Sequence, residues 1–268
     1  MKTKSFKLIF TGMVLLMVIF TYGCGPKPPK VILDSPDQYA LAKREFENKH
    51  WDKAALELQK LILNYPGVGF IDSAQYLLGM TYFNQKEYPL AIDEFNRLLS
   101  SFPTSSLADD ATFKAAECDF RLSPRAELDQ SHTLKALEEL NNFLEEYPES
   151  NQRQQALNLK NQSRSKLAKK GYKSGYLYYK IGRYLPAELY FQQVLDEYPD
   201  TEWAKPARFY LAESLYKEKK YNQAKTEYES YLQNSPKDEL TNKVNRRLEK
   251  IDKILASSTK EKTEANKK

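Results

Sequence analysis

Residues 184–199 read YLPAELYFQQVLDEYP, and residues 88–103 read YPLAIDEFNRLLSSFP. Laid over one another on their alanines, the two agree along one apolar face. Tyr184 meets Tyr88, Ala187 meets Ala91, Phe191 meets Phe95, Val194 meets Leu98 and Leu195 meets Leu99, and both segments end in an aromatic residue followed by Pro199 or Pro103. Apolar residues at i, i+4, i+7 and i+8 from an alanine form one face of an α-helix. Proline disfavours helical geometry in the residue before it, so each segment has a physical stop. The same ruler fits Trp51/Ala54/Pro66, Thr133/Ala136/Pro148 and Tyr221/Ala224/Pro236. A fixed step repeated five times implies stacked helical units, not a single-core enzyme. Stacks of this kind mostly bind other chains.

The first helix of each unit follows by counting. A small residue stands at Ala42, Gly79, Ala116, Gly175 and Ala212, where it lets two helices approach closely. Three residues earlier stand Tyr39, Tyr76, Phe113, Tyr172 and Phe209, and four residues later stand Phe46, Phe83, Phe120, Tyr179 and Tyr216. All are aromatic in a chain that is 13% aromatic, so chance does not explain them. The spacing resembles the tetratricopeptide repeat, and predicts an all-α superhelical solenoid of five helix–turn–helix units. In that family these first-helix positions tend to face a concave peptide groove. By that resemblance Tyr39, Phe46, Tyr76, Phe83, Phe113 and Phe120 are candidates for a peptide groove, and Tyr172, Tyr179, Phe209 and Tyr216 for a partner-facing surface. The competing reading is that the rings only wedge the stack together, and the sequence does not separate the two.

Two departures break the ruler. Unit three carries eight extra residues within Leu122 to His132, read as a loop between its helices. Unit four carries fourteen extra residues before Gly175, close to four whole helical turns. Insertion by whole turns keeps the apolar face in line, so 152 to about 181 reads as one long helix, with Gly171 as a possible kink.

The N-terminus is a targeting segment. Lys2, Lys4 and Lys7 precede an apolar run from Leu8 to Phe20, too short for a comfortable span but suited to a secretory leader. Cys24 follows in Thr21-Tyr22-Gly23-Cys24-Gly25, which resembles a bacterial lipoprotein signal, with Thr21 where the pattern prefers leucine. The reading is a signal peptide over 1–23, a Pro-rich tether over 24–35, units one to three over 36–150, units four and five over 151–255, and a disordered tail over 256–268. Two or more acyl chains on Cys24 would anchor the chain. Gly25, not Asp, after the cysteine points to the outer membrane.

Little supports catalysis. His50 and His132 sit in different units, and the only other cysteine, Cys118, lies in an apolar helical stretch as a buried thiol. Asp109-Asp110 and Glu145-Glu146 are helix neighbours that point apart. No cofactor or metal is implied beyond the acyl lipid. Three of the 41 basic residues fall in the leader, leaving the rest nearly balanced against 36 acidic ones, so nothing demands nucleic acid.

The lipoprotein signal, the five units, Asp129-Gln130-Ser131-His132 before Thr133 and Ala136, the long helix into Gly171-Tyr172-Lys173-Ser174, and the phrases Tyr147-Pro148-Glu149-Ser150 and Tyr198-Pro199-Asp200-Thr201 together resemble the BamD family of outer-membrane assembly lipoproteins. The resemblance covers about 34 to 250. It implies a non-enzymatic scaffold on the periplasmic face of the outer membrane. Its partners would be POTRA-type periplasmic domains of the barrel-forming assembly protein, bound mainly by the C-terminal units. The N-terminal units would receive aromatic-ended C-terminal strands of unfolded β-barrel proteins. Arg44, Lys43 and Lys86 would lie near that groove's rim, or form a solvated helix face. The family's basic contact residue on the second helix of unit four is missing from Glu188-Leu189-Tyr190-Phe191. The alternative is another periplasmic repeat scaffold, such as a coordinator of cell division and envelope constriction. That scaffold would bring an N-terminal coiled coil, and no heptads appear here.

Overall fold

The computed structural model describes residues 33–234 and 239–265, and the side chains as far as residue 258. The leader, Cys24, Pro236 and the last three residues lie outside the described residues. Those described form eleven helices and no strand: α1 (Ser35–Glu47), α2 (Trp51–Asn64), α3 (Ile71–Gln85), α4 (Tyr88–Ser101), α5 (Ala108–Leu122), α6 (Ser131–Glu146), α7 (Arg153–Lys180), α8 (Tyr184–Glu197), α9 (Ala204–Lys217), α10 (Tyr221–Asn234) and α11 (Thr241–Ala265). Each helix packs on the next, and five antiparallel hairpins are followed by a single closing helix.

The ruler coincides with the packing. Ala54, Ala91, Ala136, Ala187 and Ala224 are wholly buried, as are Leu58, Phe95, Leu140, Phe191 and Tyr228 four residues on. The small residues of the first helices are buried opposite them. A Cβ on Gly79 would stand 2.6 Å from Phe95 Cε1, and one on Gly175 would stand 2.8 Å from Phe191 Cε1. Tetratricopeptide-type hairpins close this tightly because one wall lacks a side chain. The buried residues form a row of separate clusters, the largest joining α7 to α11.

The hairpin turns also repeat. Seven residues past the small residue, Lys49, Lys86, Gly182 and Lys219 all take left-handed backbone geometry, with φ of 60°, 65°, 76° and 59°. At each, the following N–H bonds back to the helix: His50 to Glu45, Glu87 to Tyr82, Arg183 to Tyr178 and Lys220 to Leu215. These are the C-terminal caps expected of a helix ending in a left-handed residue. In unit three the matching residue is Ser123, at φ −63° and ψ 119°. There the chain leaves the helix extended and enters the inserted loop.

That loop and the long helix hold one another. Lys166, Lys170 and Lys173 lie on one face of α7. Lys166 Nζ donates to Ser123 Oγ at 2.7 Å, Lys170 Nζ to the Leu128 carbonyl at 3.0 Å, and Lys173 Nζ to a Glu127 carboxylate oxygen. Gln130 is buried beneath the loop and donates to the Arg125 carbonyl at 2.9 Å, and Ala126 is tucked in beside it. The four extra turns of α7 thus supply the surface on which the eight extra residues settle.

One expectation fails. The tail read as disordered from 256 is helical through Ala265, because α11 is already nucleated and the tail is rich in Lys, Glu and Ala, which extend a helix readily.

Candidate interaction surface

The ten aromatic positions divide by burial. Phe113 and Phe209 are 1% exposed and offer no surface, which corrects their place in the groove and the partner face. Phe113 packs on Phe143, and Phe209 on Tyr228 and Tyr231, inside their own hairpins. The other eight are half-buried. Tyr39 meets Phe70 at the start of unit two, and Tyr76 meets Phe95 of its own unit. Tyr172 touches Tyr176, Phe191, Trp203 and Tyr210, and so joins units four and five.

Four of the second set obey one rule, Phe120 beside the inserted loop being the exception. Phe46, Phe83, Tyr179 and Tyr216 each stand edge-to-face against the first residue of the next helix: Trp51, Tyr88, Tyr184 and Tyr221, at 5.2 to 5.7 Å. Such pairs add about 0.5–1.5 kcal/mol beyond area burial. Part of each ring is therefore spent on closing its hairpin. Three rings at this position are covered by a cation from a later helix. Lys114 Nζ lies 4.9 Å from the Phe83 ring, Lys166 Nζ 5.0 Å from Phe120, and Arg247 Cζ 4.4 Å from Tyr216. Tyr179 meets Tyr210 instead. Cations thus cap Phe83, Phe120 and Tyr216, which the aromatic pattern did not disclose, because the capping cations fall at different repeat positions.

Buried carboxylates hold several of these cations. Glu213, 1% exposed, accepts from Tyr228 Oη, from Arg247 Nε at 2.8 Å and from Arg247 Nη2 at 3.0 Å, with Lys243 at 3.8 Å. Burial alone would raise its pKa, but the bonds from Arg247 and Tyr228 outweigh that and hold it below the usual carboxylate value. Glu117 pairs Lys114 and Arg121, both at 2.8 Å. Asp119, wholly buried, takes His132 Nδ1 at 2.7 Å and Lys135 Nζ at 2.8 Å, pinning the loop's end to α5. His50 is exposed, with Nδ1 2.8 Å from Glu45. Arg44, Lys43 and Lys86 are all exposed. Cys118 is buried, and its thiol pKa is pushed up to about 12 by burial and by the neighbouring Glu117 and Asp119.

An array of helical hairpins closed by small residues and aromatic pairs defines a tetratricopeptide-type repeat protein. Residues 33–214 match the family described as outer membrane lipoprotein (YfiO), and residues 206–238 match a tetratricopeptide repeat. The chain belongs to that outer membrane lipoprotein family. No curated protein sequence matches it. Among solved structures, it is similar to a TPR repeats protein (BF2334) from Bacteroides fragilis NCTC 9343, at 12% identity over 83% of this chain and 100% of the other, with a TM-score of 0.45. It is also similar to the TPR2AB domain of yeast Sti1, solved as a complex with pHSP90, at 11% identity over 84% of this chain and 86% of the other, with a TM-score of 0.42.

Proposed function

We propose that this chain is a non-enzymatic scaffold of outer-membrane β-barrel assembly, held on the periplasmic face by acyl chains on Cys24. In this reading it binds POTRA-type periplasmic domains of the barrel-forming assembly protein through units four and five, with Tyr172, Tyr179 and Tyr216 nearest the contact. Units one to three receive C-terminal strands of unfolded barrel proteins along Tyr39, Phe46, Tyr76, Phe83 and Phe120. The observation that carries the reading is membership of the outer membrane lipoprotein family across 33–214, which spans four of the five hairpins. Half-buried rings suit an extended apolar strand end, since each can pack its body and still present an edge.

Affinity purification of the full chain from outer membranes tests it. A large barrel protein should co-purify, whereas recovery of division or peptidoglycan factors instead would replace this reading with that of an envelope-constriction scaffold. Cys24→Ser should move the chain out of the membrane fraction, and a variant that stays there would remove the lipid anchor from the proposal. Phe46→Ala with Phe83→Ala should weaken binding of aromatic-ended barrel peptides more than it lowers stability. Equal losses would assign both rings to hairpin closure alone.

A further inference from the structure

A cavity of about 570 Å³ opens between the unit-three loop and α7. Arg125 and Ala126 of the loop, Lys166 and Lys169 of α7, Phe120 of α5 and Trp203 beside α9 form its walls. Two departures from the repeat, the loop and the long helix, build it. Its cations differ from the others that cap rings. Lys114 has Glu117, Arg247 and Lys243 have Glu213, and Arg164 has Asp200. Lys166 and Lys169 have no carboxylate at ion-pair distance among the described residues. Lys166 Nζ reaches only the Ser123 carbonyl at 3.3 Å, Ser123 Oγ at 2.7 Å and the Phe120 ring, and burial holds its pKa below the usual lysine value. Lys169 Nζ lies 5.4 Å from the Trp203 ring. Of the cavity's own carboxylates, Glu127 is paired with Lys173 and Glu202 accepts from Ser165 Oγ at 2.5 Å, and both feel the charge of Lys169 without reaching ion-pair distance. Trp203 Nε1 is buried and lies near Glu202 without reaching hydrogen-bond geometry.

We propose that this cavity binds an acidic segment of an extended polypeptide, with a side-chain carboxylate on Lys166 and Lys169 and a neighbouring apolar side chain lodged between Phe120 and Trp203. A half-buried cation without a direct ion pair gains more from a carboxylate than a fully solvated one does, because part of its hydration is already lost. The aromatic wall selects a polypeptide over a free anion, which would leave both rings wet. Two lysines without a direct ion pair and one arginine, set among Glu127 and Glu202, fall short of the row of cations that a phosphodiester backbone requires. Asn161 and Gln162, exposed at the rim, supply amides for a peptide backbone. The volume lies within the usual range for ligand sites, roughly 300–1,000 Å³. This site shares Phe120 with the groove proposed above but none of the rings of units one and two, and its test through Trp203 and Lys169 does not depend on what those rings bind.

Trp203 gives the test a local reporter. In the full chain carrying Trp51→Phe it is the only tryptophan, since the protein has two. A ten-residue peptide alternating Glu with Leu and Phe should shift Trp203 emission and bind at least about tenfold more tightly than its Gln counterpart, an advantage that should shrink as salt rises. Lys166→Gln with Lys169→Gln should lower its affinity about tenfold or more. Because Lys166 also holds the loop, Lys169→Gln alone is the second variant, and it should retain the parent's melting curve and lose affinity severalfold. Equal binding of the Glu and Gln peptides, or unchanged affinity in both variants, would overturn the proposal. Inorganic phosphate competing at the peptide's own concentration would overturn it too, in favour of a small-anion site.

Discussion

At the scale of single residues, the tightest constraint is the pairing of glycine with phenylalanine. Units two and four carry Gly79 with Phe95 and Gly175 with Phe191, while units one and three carry Ala42 with Leu58 and Ala116 with Leu140. The missing Cβ and the larger ring compensate each other, and the clash distances of 2.6 and 2.8 Å say why. Unit five joins Ala212 to Tyr228, whose hydroxyl is drawn to Glu213. Gly79→Ala should cost about 1–3 kcal/mol by overpacking, less the roughly 1 kcal/mol that alanine gains over glycine in a helix. Phe95→Leu in that background should recover most of the loss, whereas in the parent chain it should destabilise. Urea melts of the four chains would read the cycle, and additive effects would mean the two sites do not meet. The three left-handed lysines give a second expectation of opposite sign. Lys86→Gly should stabilise by up to about 1 kcal/mol, because left-handed backbone strains a residue with a Cβ, while Gly182→Ala should destabilise. That a small residue belongs at these helix positions was legible from spacing alone. Which small residue was not, because the choice depends on a partner in the facing helix.

Among the elements, the five hairpins and the long α7 were readable because a fixed step and a whole-turn insertion are patterns in one dimension. The closing helix α11 escaped, since no further unit follows to extend the Ala/Pro ruler. Its signal was present in Val244, Leu248, Ile251 and Leu255, spaced as a helical stripe within a Lys- and Glu-rich stretch and packed on the last hairpin. The pairing of loop with α7 was also hidden, because its contacts join residues 42 to 46 positions apart through lysines of the kind any solvated helix carries. Glu213 is the bolt that fastens α11, and it makes a pH prediction. Its carboxyl is lowered in the folded chain, so its contribution is complete above the free value of 4.5 and is lost as pH falls below it. Denaturant melts between pH 7 and pH 3 should show the last hairpin and α11 weakening over that acidic window. Glu213→Gln should flatten the response there and destabilise at pH 7 by a few kcal/mol, about what breaking a buried ion pair costs. An unchanged acid response in Glu213→Gln would shift the effect to other carboxylates, with Glu117, whose carboxyl is also lowered, the next to vary.

Across the whole molecule, stability should be distributed as it is in stacked repeats, each hairpin leaning chiefly on its neighbours. The distribution here is uneven. The cluster joining α7 to α11 unites sixteen buried residues, and the aromatic network of Tyr172, Tyr176, Tyr179 and Tyr210 runs through its partly buried rim. The clusters of units one and two are smaller, at six and seven buried residues, and are closed by single ring pairs. The free energy of local opening follows the buried apolar contact a segment makes, so the two ends should not open together. Native-state hydrogen exchange should therefore release amides of α1 and α2 first and those of α8 and α9 last, and urea unfolding followed by Trp51 should precede unfolding followed by Trp203. The proposed division of labour rests on the same asymmetry: a firm C-terminal half suits a lasting contact with an assembly partner, and a looser N-terminal half suits strands that arrive and leave. Coincident transitions at the two tryptophans would show one cooperative unit, and that division would then have to be argued from surface chemistry alone.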